Sequence, residues 1–221
     1  MIKAVIFDMD GTIVDSEPIY ERTNKKVYQK YGLDLTEKDY ERHMGSNLKD
    51  IWIDILERYQ VKEEYAHYKI EDFMEDHIHS SYQALAEADD LKLMPGVKEW
   101  FDFFKDHGYK MIIASSSYEP VVEYIYQRFG LDQYMEGYVD GNAIDNGKPA
   151  PDIFLKAAEK LNLEAKECVI IEDSENGVIG AHRAGAKVVG FNRAQSESQD
   201  LSQADLVIEE YNQENLQKIL N

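Results

Sequence analysis

Two aspartates separated by one residue, Asp8 and Asp10, close an apolar run over residues 4–7, and Gly11 follows at once. Such a run reads as a strand buried on both faces. In an open parallel sheet, ligands bind just beyond the carboxyl ends of the strands. Alternation along a continuing strand would turn Asp8 and Asp10 to one side, but Gly11 bends the chain immediately after them. Two carboxylates held this close repel each other unless a cation or a shared proton intervenes. That chemistry suits a metal-assisted site, with one carboxylate as nucleophile and the other as acid and base. A turn and a helix cap use the same residue types, so the rest of the chain has to decide.

Three further places carry chemistry. The apolar run 110–114 ends in Ser115-Ser116-Ser117, and hydroxyls beside backbone N–H groups suit an oxyanion or phosphate; a serine there also caps a following helix. Lys148 stands before Pro149-Ala150-Pro151, a rigid segment that starts a helix and makes the lysine a positioned point charge; an exposed loop lysine is the alternative. The run 168–171 ends in Glu172-Asp173, two adjacent acids beside Gly177, whose mutual repulsion suggests oxygen ligands for a hard cation.

Strands are expected over residues 4–7, 110–114, 137–140, 168–171, 187–191 and 206–208. Helices at 97–107, 120–129, 152–161 and 178–184 alternate with them, and a further helix closes the chain. That alternation implies parallel strands with right-handed crossovers, so every polar cluster falls at one edge of one sheet. Residues 17–88 differ: they read as successive helices at about 17–31, 36–43, 48–59 and 63–88. Thr36 with Asp39 forms a capping box. Tyr20, Val27, Tyr28 and Tyr31 recur at helical spacing and are expected to pack a bundle. His67, His77 and His79 lie among acidic residues and are expected on the solvated surface.

The chain has 221 residues, long enough for a core with a smaller insert. Hydrophobic residues at 43% and charged residues at 30% fit a globular protein. A formal net charge of −19 speaks against nucleic acid and anionic membranes as partners. A small phosphorylated substrate remains compatible if the pocket itself holds a metal and a lysine. The single cysteine, Cys168, excludes an intrachain disulfide and fits a reducing cytoplasm. No apolar run is long enough to span a membrane, and no leader is expected before the first strand. A monomer is expected.

Asp8-x-Asp10-Gly11-Thr12, Ser115, Lys148 and Glu172-Asp173 resemble, in order, the four motifs of the haloacid dehalogenase superfamily. Lys148-Pro149-Ala150-Pro151-Asp152-Ile153-Phe154 and Ile171-Glu172-Asp173-Ser174-x-x-Gly177 look like its beta-phosphoglucomutase and sugar-phosphatase branch. The resemblance covers essentially the whole chain. It implies an α/β fold: a Rossmann-like parallel-sheet core of residues 1–15 and 90–221, with a helical cap inserted at 16–89. It implies a magnesium-dependent phosphatase acting on a small phosphorylated metabolite. Asp8 would attack phosphorus and Asp10 would serve the leaving group and then water. Thr12, Ser115, Ser116 and Lys148 would bind the substrate's phosphoryl group. Asp8, Asp10 (through its carbonyl), Glu172 and Asp173 would hold Mg2+. The alternatives are a sugar phosphomutase and a non-catalytic phosphate-sensing domain. Mutases of this branch carry a histidine where this chain has Tyr20. They also carry an arginine after a cap turn comparable to Gly45-Ser46-Asn47-Leu48-Lys49. Both departures favour the phosphatase.

Overall fold

Six parallel strands make one sheet: β1 (Ala4–Phe7), β2 (Lys110–Ala114), β3 (Tyr138–Val139), β4 (Cys168–Glu172), β5 (Lys187–Phe191) and β6 (Leu206–Ile208). The computed structural model describes residues 2–192 and 199–220. In space the strands run β3-β2-β1-β4-β5-β6. The chain therefore starts mid-sheet and winds outward to both sides, so β1 borders the point where strand order reverses. Phe7 pairs with Ile113 on one side and Ile171 on the other. The next residues, Asp8, Ala114 and Glu172, thus sit at one level.

The apolar runs are continuous because both sheet faces are covered. Val5, Phe7, Ile113 and Ile171 pack against α5 (Val97–Asp106), α6 (Glu119–Arg128) and α9 (Gln213–Leu220). Ala4, Ile6, Ile112 and Ile170 pack on the opposite face against α7 (Asp152–Lys160) and α8 (Glu175–Ala184). Full burial of each large apolar side chain contributes about 1.5–3 kcal/mol, and this anchors the strand ends that carry the polar residues.

Between β1 and α5 lie α1 (Glu17–Tyr31), α2 (Glu37–His43), α3 (Leu48–Arg58) and α4 (Ile70–Glu87). Their own apolar cluster centres on Tyr31, Trp52, Ile55 and Phe73. The two linkers to the sheet run side by side: Met94 N–H donates to Ile13 O at 2.8 Å and Asp15 N–H to Lys92 O at 3.0 Å. Arg128 of α6 donates to the Leu85 and Ala88 carbonyls at 3.2 and 3.0 Å, satisfying groups that the end of α4 leaves open. The Thr36 N–H and hydroxyl both donate to Asp39, at 2.8 and 2.7 Å, as the capping box requires. No helix among the described residues is long and apolar enough to cross a membrane.

Two sequence expectations are corrected. Residues 63–88 do not form one helix: a 3-10 turn at Glu63–Tyr65 comes first, and α4 begins only at Ile70. The Lys69 N–H donates to Asp72 Oδ2 at 2.7 Å, which caps the new start. His67 and His79 are exposed as expected, but His77 is 4% exposed. Its ring stands edge-on to Tyr28 and Trp52 at 5.5 and 5.9 Å, and its Nε2 bonds to Asn24 Oδ1 at 2.8 Å.

Candidate active site

Asp8, Lys148, Glu172 and Asp173 are all buried at the carboxyl end of the sheet. The Lys148 ammonium donates to Asp8 Oδ1 and to Glu172 Oε1, each at 2.5 Å. Lys148 lies just before α7 and is itself buried. The other Glu172 oxygen accepts from the Ser174 N–H at 2.7 Å and the Ser174 hydroxyl at 2.9 Å. Ser174 also caps α8 by accepting from the Gly177 N–H at 3.1 Å. A Cβ on Gly177 would overlap the Glu172 carboxylate. Gly177 is thus required by close approach, and the cap, the glycine and the glutamate form one unit.

Asp10 is held differently. Ser16 Oγ donates to its Oδ1 and Ser117 Oγ to its Oδ2, both at 2.7 Å. The bend at Gly11, with φ of 77°, turns the chain between Asp10 and the insertion. Ser115 accepts from the Ser117 N–H at 3.1 Å. Ser116 instead donates to Gly45 O at 2.9 Å, from the loop between α2 and α3. Asn176 donates to Met44 O and Ser46 Oγ of that loop at 3.1 and 3.2 Å. The insertion is therefore docked on the sheet's loops. Beneath it lies a cavity of about 850 Å³, with Asp8, Asp10, Ser115, Ser116, Glu172 and Asp173 on its wall. Thr12 and Lys148 stand behind that wall; the Thr12 hydroxyl reaches Asp173 Oδ1 at 3.5 Å.

Electrostatics set the two aspartates apart. Burial pushes the Asp8 carboxyl well above its ordinary value; the Lys148 charge pulls it down, and Glu172 and Asp10 push it further up. Burial also raises Asp10, while hydrogen bonds from Ser16 and Ser117 oppose the rise. Burial disfavours the Lys148 cation, but the Asp8 and Glu172 charges outweigh it and keep the ammonium protonated.

Among the described residues, no three His, Cys, Asp or Glu side chains converge into a ready metal cage. Glu172 is turned to Lys148 and Ser174, and the Asp10 side chain to the two serines. The donor set still fits a hard divalent cation, because four carboxylates gather at this strand end with one ammonium, which bonds only Asp8 and Glu172, and the Asp10 carbonyl adds a neutral oxygen. Of the expected residues, Asp8, Asp10, Ser115, Lys148, Glu172 and Asp173 come together. Ser116 serves the docking loop and Thr12 backs Asp173. Ser16 receives no role from sequence, and Ser117 only a share in the oxyanion reading of its serine run. From sequence Ser16 reads only as a helix cap and Ser117 as the third member of a serine run; in the structure the Ser16 hydroxyl leaves the helix uncapped.

Residues 5–191 match the model of the family described as haloacid dehalogenase-like hydrolase. The chain belongs to that family. It is an enzyme of this hydrolase fold, with a Rossmann-like parallel sheet as expected. The chain is similar to a phosphorylated carbohydrates phosphatase of Thermotoga maritima, 30% identical over 93% of each chain. It is also similar to the fructose-1-phosphate phosphatase YqaB of Escherichia coli K12, 29% identical over 84% of this chain and 94% of that one. The crystal structure of beta-phosphoglucomutase from Clostridium difficile superposes with a TM-score of 0.85, at 25% identity, over 99% of this chain and 96% of that one.

Proposed function

We propose that this hydrolase is a magnesium-dependent phosphatase that releases phosphate from a small phosphorylated carbohydrate through an aspartyl-phosphate. The observation that carries this reading is the unequal engagement of the two aspartates on the wall of one cavity. Asp8 meets a buried ammonium, whereas both Asp10 oxygens are steered by serine hydroxyls. The phosphatase relatives support the same reaction class.

In the first step an Asp8 oxygen attacks phosphorus and the bond to the leaving oxygen breaks. Asp10 gives that oxygen its proton; its raised carboxyl favours the protonated form needed for this. In the second step Asp10 takes a proton from water as that water attacks the phosphorus on Asp8; the bond between phosphorus and the Asp8 oxygen breaks, which releases phosphate and restores the Asp8 carboxylate. Lys148 and Ser115 hold phosphoryl oxygens while charge spreads over them. Asp8, Asp173 and the Asp10 carbonyl would hold magnesium, with Glu172 behind them or joined through water. When bound, the ion supplies positive charge beside the phosphoryl oxygens. We read the helical insertion, residues 16–89, as a cap. Its Met44–Ser46 loop, tied to Ser116 and Asn176, excludes water during the first step.

A mutase would need a second phosphate anchor in the cap. Lys49 is exposed and off the cavity wall, and Tyr20 occupies the wall beside Asp10. The test is phosphate release from a panel of sugar and polyol phosphates, with magnesium and then with EDTA. Beta-glucose 1-phosphate is also assayed for conversion to glucose 6-phosphate. Release that needs magnesium and outpaces conversion is expected. Full activity in EDTA removes the metal, and faster conversion favours the isomerase.

A further inference from the structure

The turn that follows Asp10 is tied to the far end of the chain. Within the turn, Gly11 N–H donates to Val14 O at 2.8 Å, and the Ile13 and Val14 N–H groups donate to Met9 O at 2.8 and 3.0 Å. Thr12 sits at its centre, fully buried, and its hydroxyl reaches Asp173 Oδ1. The Thr12 carbonyl accepts from the Tyr211 hydroxyl at 3.0 Å, across 199 positions of sequence. Tyr211 comes from the segment between β6 and α9. The bond thus joins the loop after the central strand β1 to the chain beyond the edge strand β6.

Packing alone does not call for that hydroxyl. The Tyr211 ring lies against Phe191 at 4.6 Å and edge-on to Trp100 at 4.7 Å, contacts that a phenylalanine would also make. A hydroxyl buried among such rings costs stability unless it is bonded, and this one makes its bond to the turn beside Asp10. Burial raises the Tyr211 phenol well above its ordinary value, and the Asp173 and Asp8 charges raise it further. The group therefore stays a neutral donor. Gly11, between Asp10 and Thr12, has the widest backbone freedom in the turn. A tether on Thr12 restrains that freedom, and with it the direction of the Asp10 carbonyl and of the hydroxyl that backs Asp173. Tyr211 is not on the cavity wall, so it acts through the turn and not on substrate.

We propose that Tyr211 is a positioning residue for the cation site: by holding the Thr12 carbonyl it fixes the turn that presents the Asp10 carbonyl and backs Asp173. The role rests on the magnesium-dependent phosphatase reading and adds to it a residue from outside the four strand-end clusters.

The test is Tyr211→Phe, with Phe191→Leu as a control that loosens the same ring packing and keeps the hydroxyl. Magnesium affinity is measured by calorimetric titration without substrate, and folding by urea denaturation. Phosphate release is then followed against magnesium concentration. Tyr211→Phe is expected to bind magnesium roughly tenfold more weakly, the low end of what losing a supporting contact costs a metal site. It should need correspondingly more magnesium for half-maximal activity. At saturating magnesium its KM for substrate should match wild type, because Lys148 and Ser115 come from other segments. Phe191→Leu should lose stability and keep the wild-type magnesium affinity. Equal affinity in Tyr211→Phe and wild type, an equal loss in both variants, or a Tyr211→Phe protein that does not fold overturns the positioning role. A wild-type protein that binds no magnesium removes the metal from the phosphatase reading, and this role with it.

Discussion

His77 ties the stability of the helical insertion to pH, and the size of the effect follows from its surroundings. Burial between Tyr28 and Trp52 lowers its pKa from 6.5 to about 4 in the folded protein. The unfolded chain keeps the ordinary value, so between those two pKa values it binds more protons than the folded one. Stability therefore rises with pH through that window, is complete above about 6.5, and is lost as pH falls toward 4. The full penalty is roughly 3 kcal/mol, and at pH 5 it is about 2 kcal/mol, because the unfolded imidazole is nearly all charged and the folded one nearly all neutral. Urea denaturation at pH 7.5, 6 and 5 measures it. His77→Gln keeps an amide donor for Asn24 and removes the titration. The wild-type protein should lose about 2 kcal/mol more than His77→Gln between pH 7.5 and pH 5. Parallel losses in the two proteins would refute the burial of a neutral imidazole.

Other consequences follow from the site. Lys148→Met leaves Asp8 and Glu172 buried without their shared ammonium, so folding stability should fall by about 3–5 kcal/mol in chemical denaturation. Gly177→Ala places a Cβ on the Glu172 carboxylate. It should cost about 1–3 kcal/mol in the same assay and weaken magnesium activation measured by titration. Asp10→Asn keeps one acceptor for its serine donors and loses the transferable proton; turnover should drop about 10²–10⁴-fold with thermal stability near wild type.

Much of the fold was legible because burial on both faces writes itself as continuous apolar runs. The runs ending at Asp8, Ser115 and Glu172 set both the strands and the level at which the polar residues meet. A helix with one buried face is less explicit. His77 sits among Asp76, Ile78 and His79, and nothing local says that Trp52 from another helix covers it. The break before Ile70 was missed because residues 66–69 contain neither glycine nor proline; its mark was Asp72 three residues after Lys69. At the site, residue types announced the chemistry, but the division of labour among hydroxyls depended on side-chain direction. Ser117, not Ser116, reaches Asp10, and Ser16 turns to Asp10 although it precedes a helix it could cap. Thr12 points to Asp173, away from the cavity wall, which the Asp-x-Asp-Gly-Thr pattern does not specify.

The central claim is that Asp8 is the group that takes the phosphoryl from substrate. Asp8→Asn keeps the side chain's shape and an acceptor for Lys148, and removes the anionic oxygen that attacks phosphorus. Phosphate release by this variant, measured on the best substrate of the panel with saturating magnesium and checked for folding by circular dichroism, is the direct test. The predicted result is a folded protein whose turnover is lower by several orders of magnitude. Turnover at the wild-type rate would contradict covalent catalysis through Asp8.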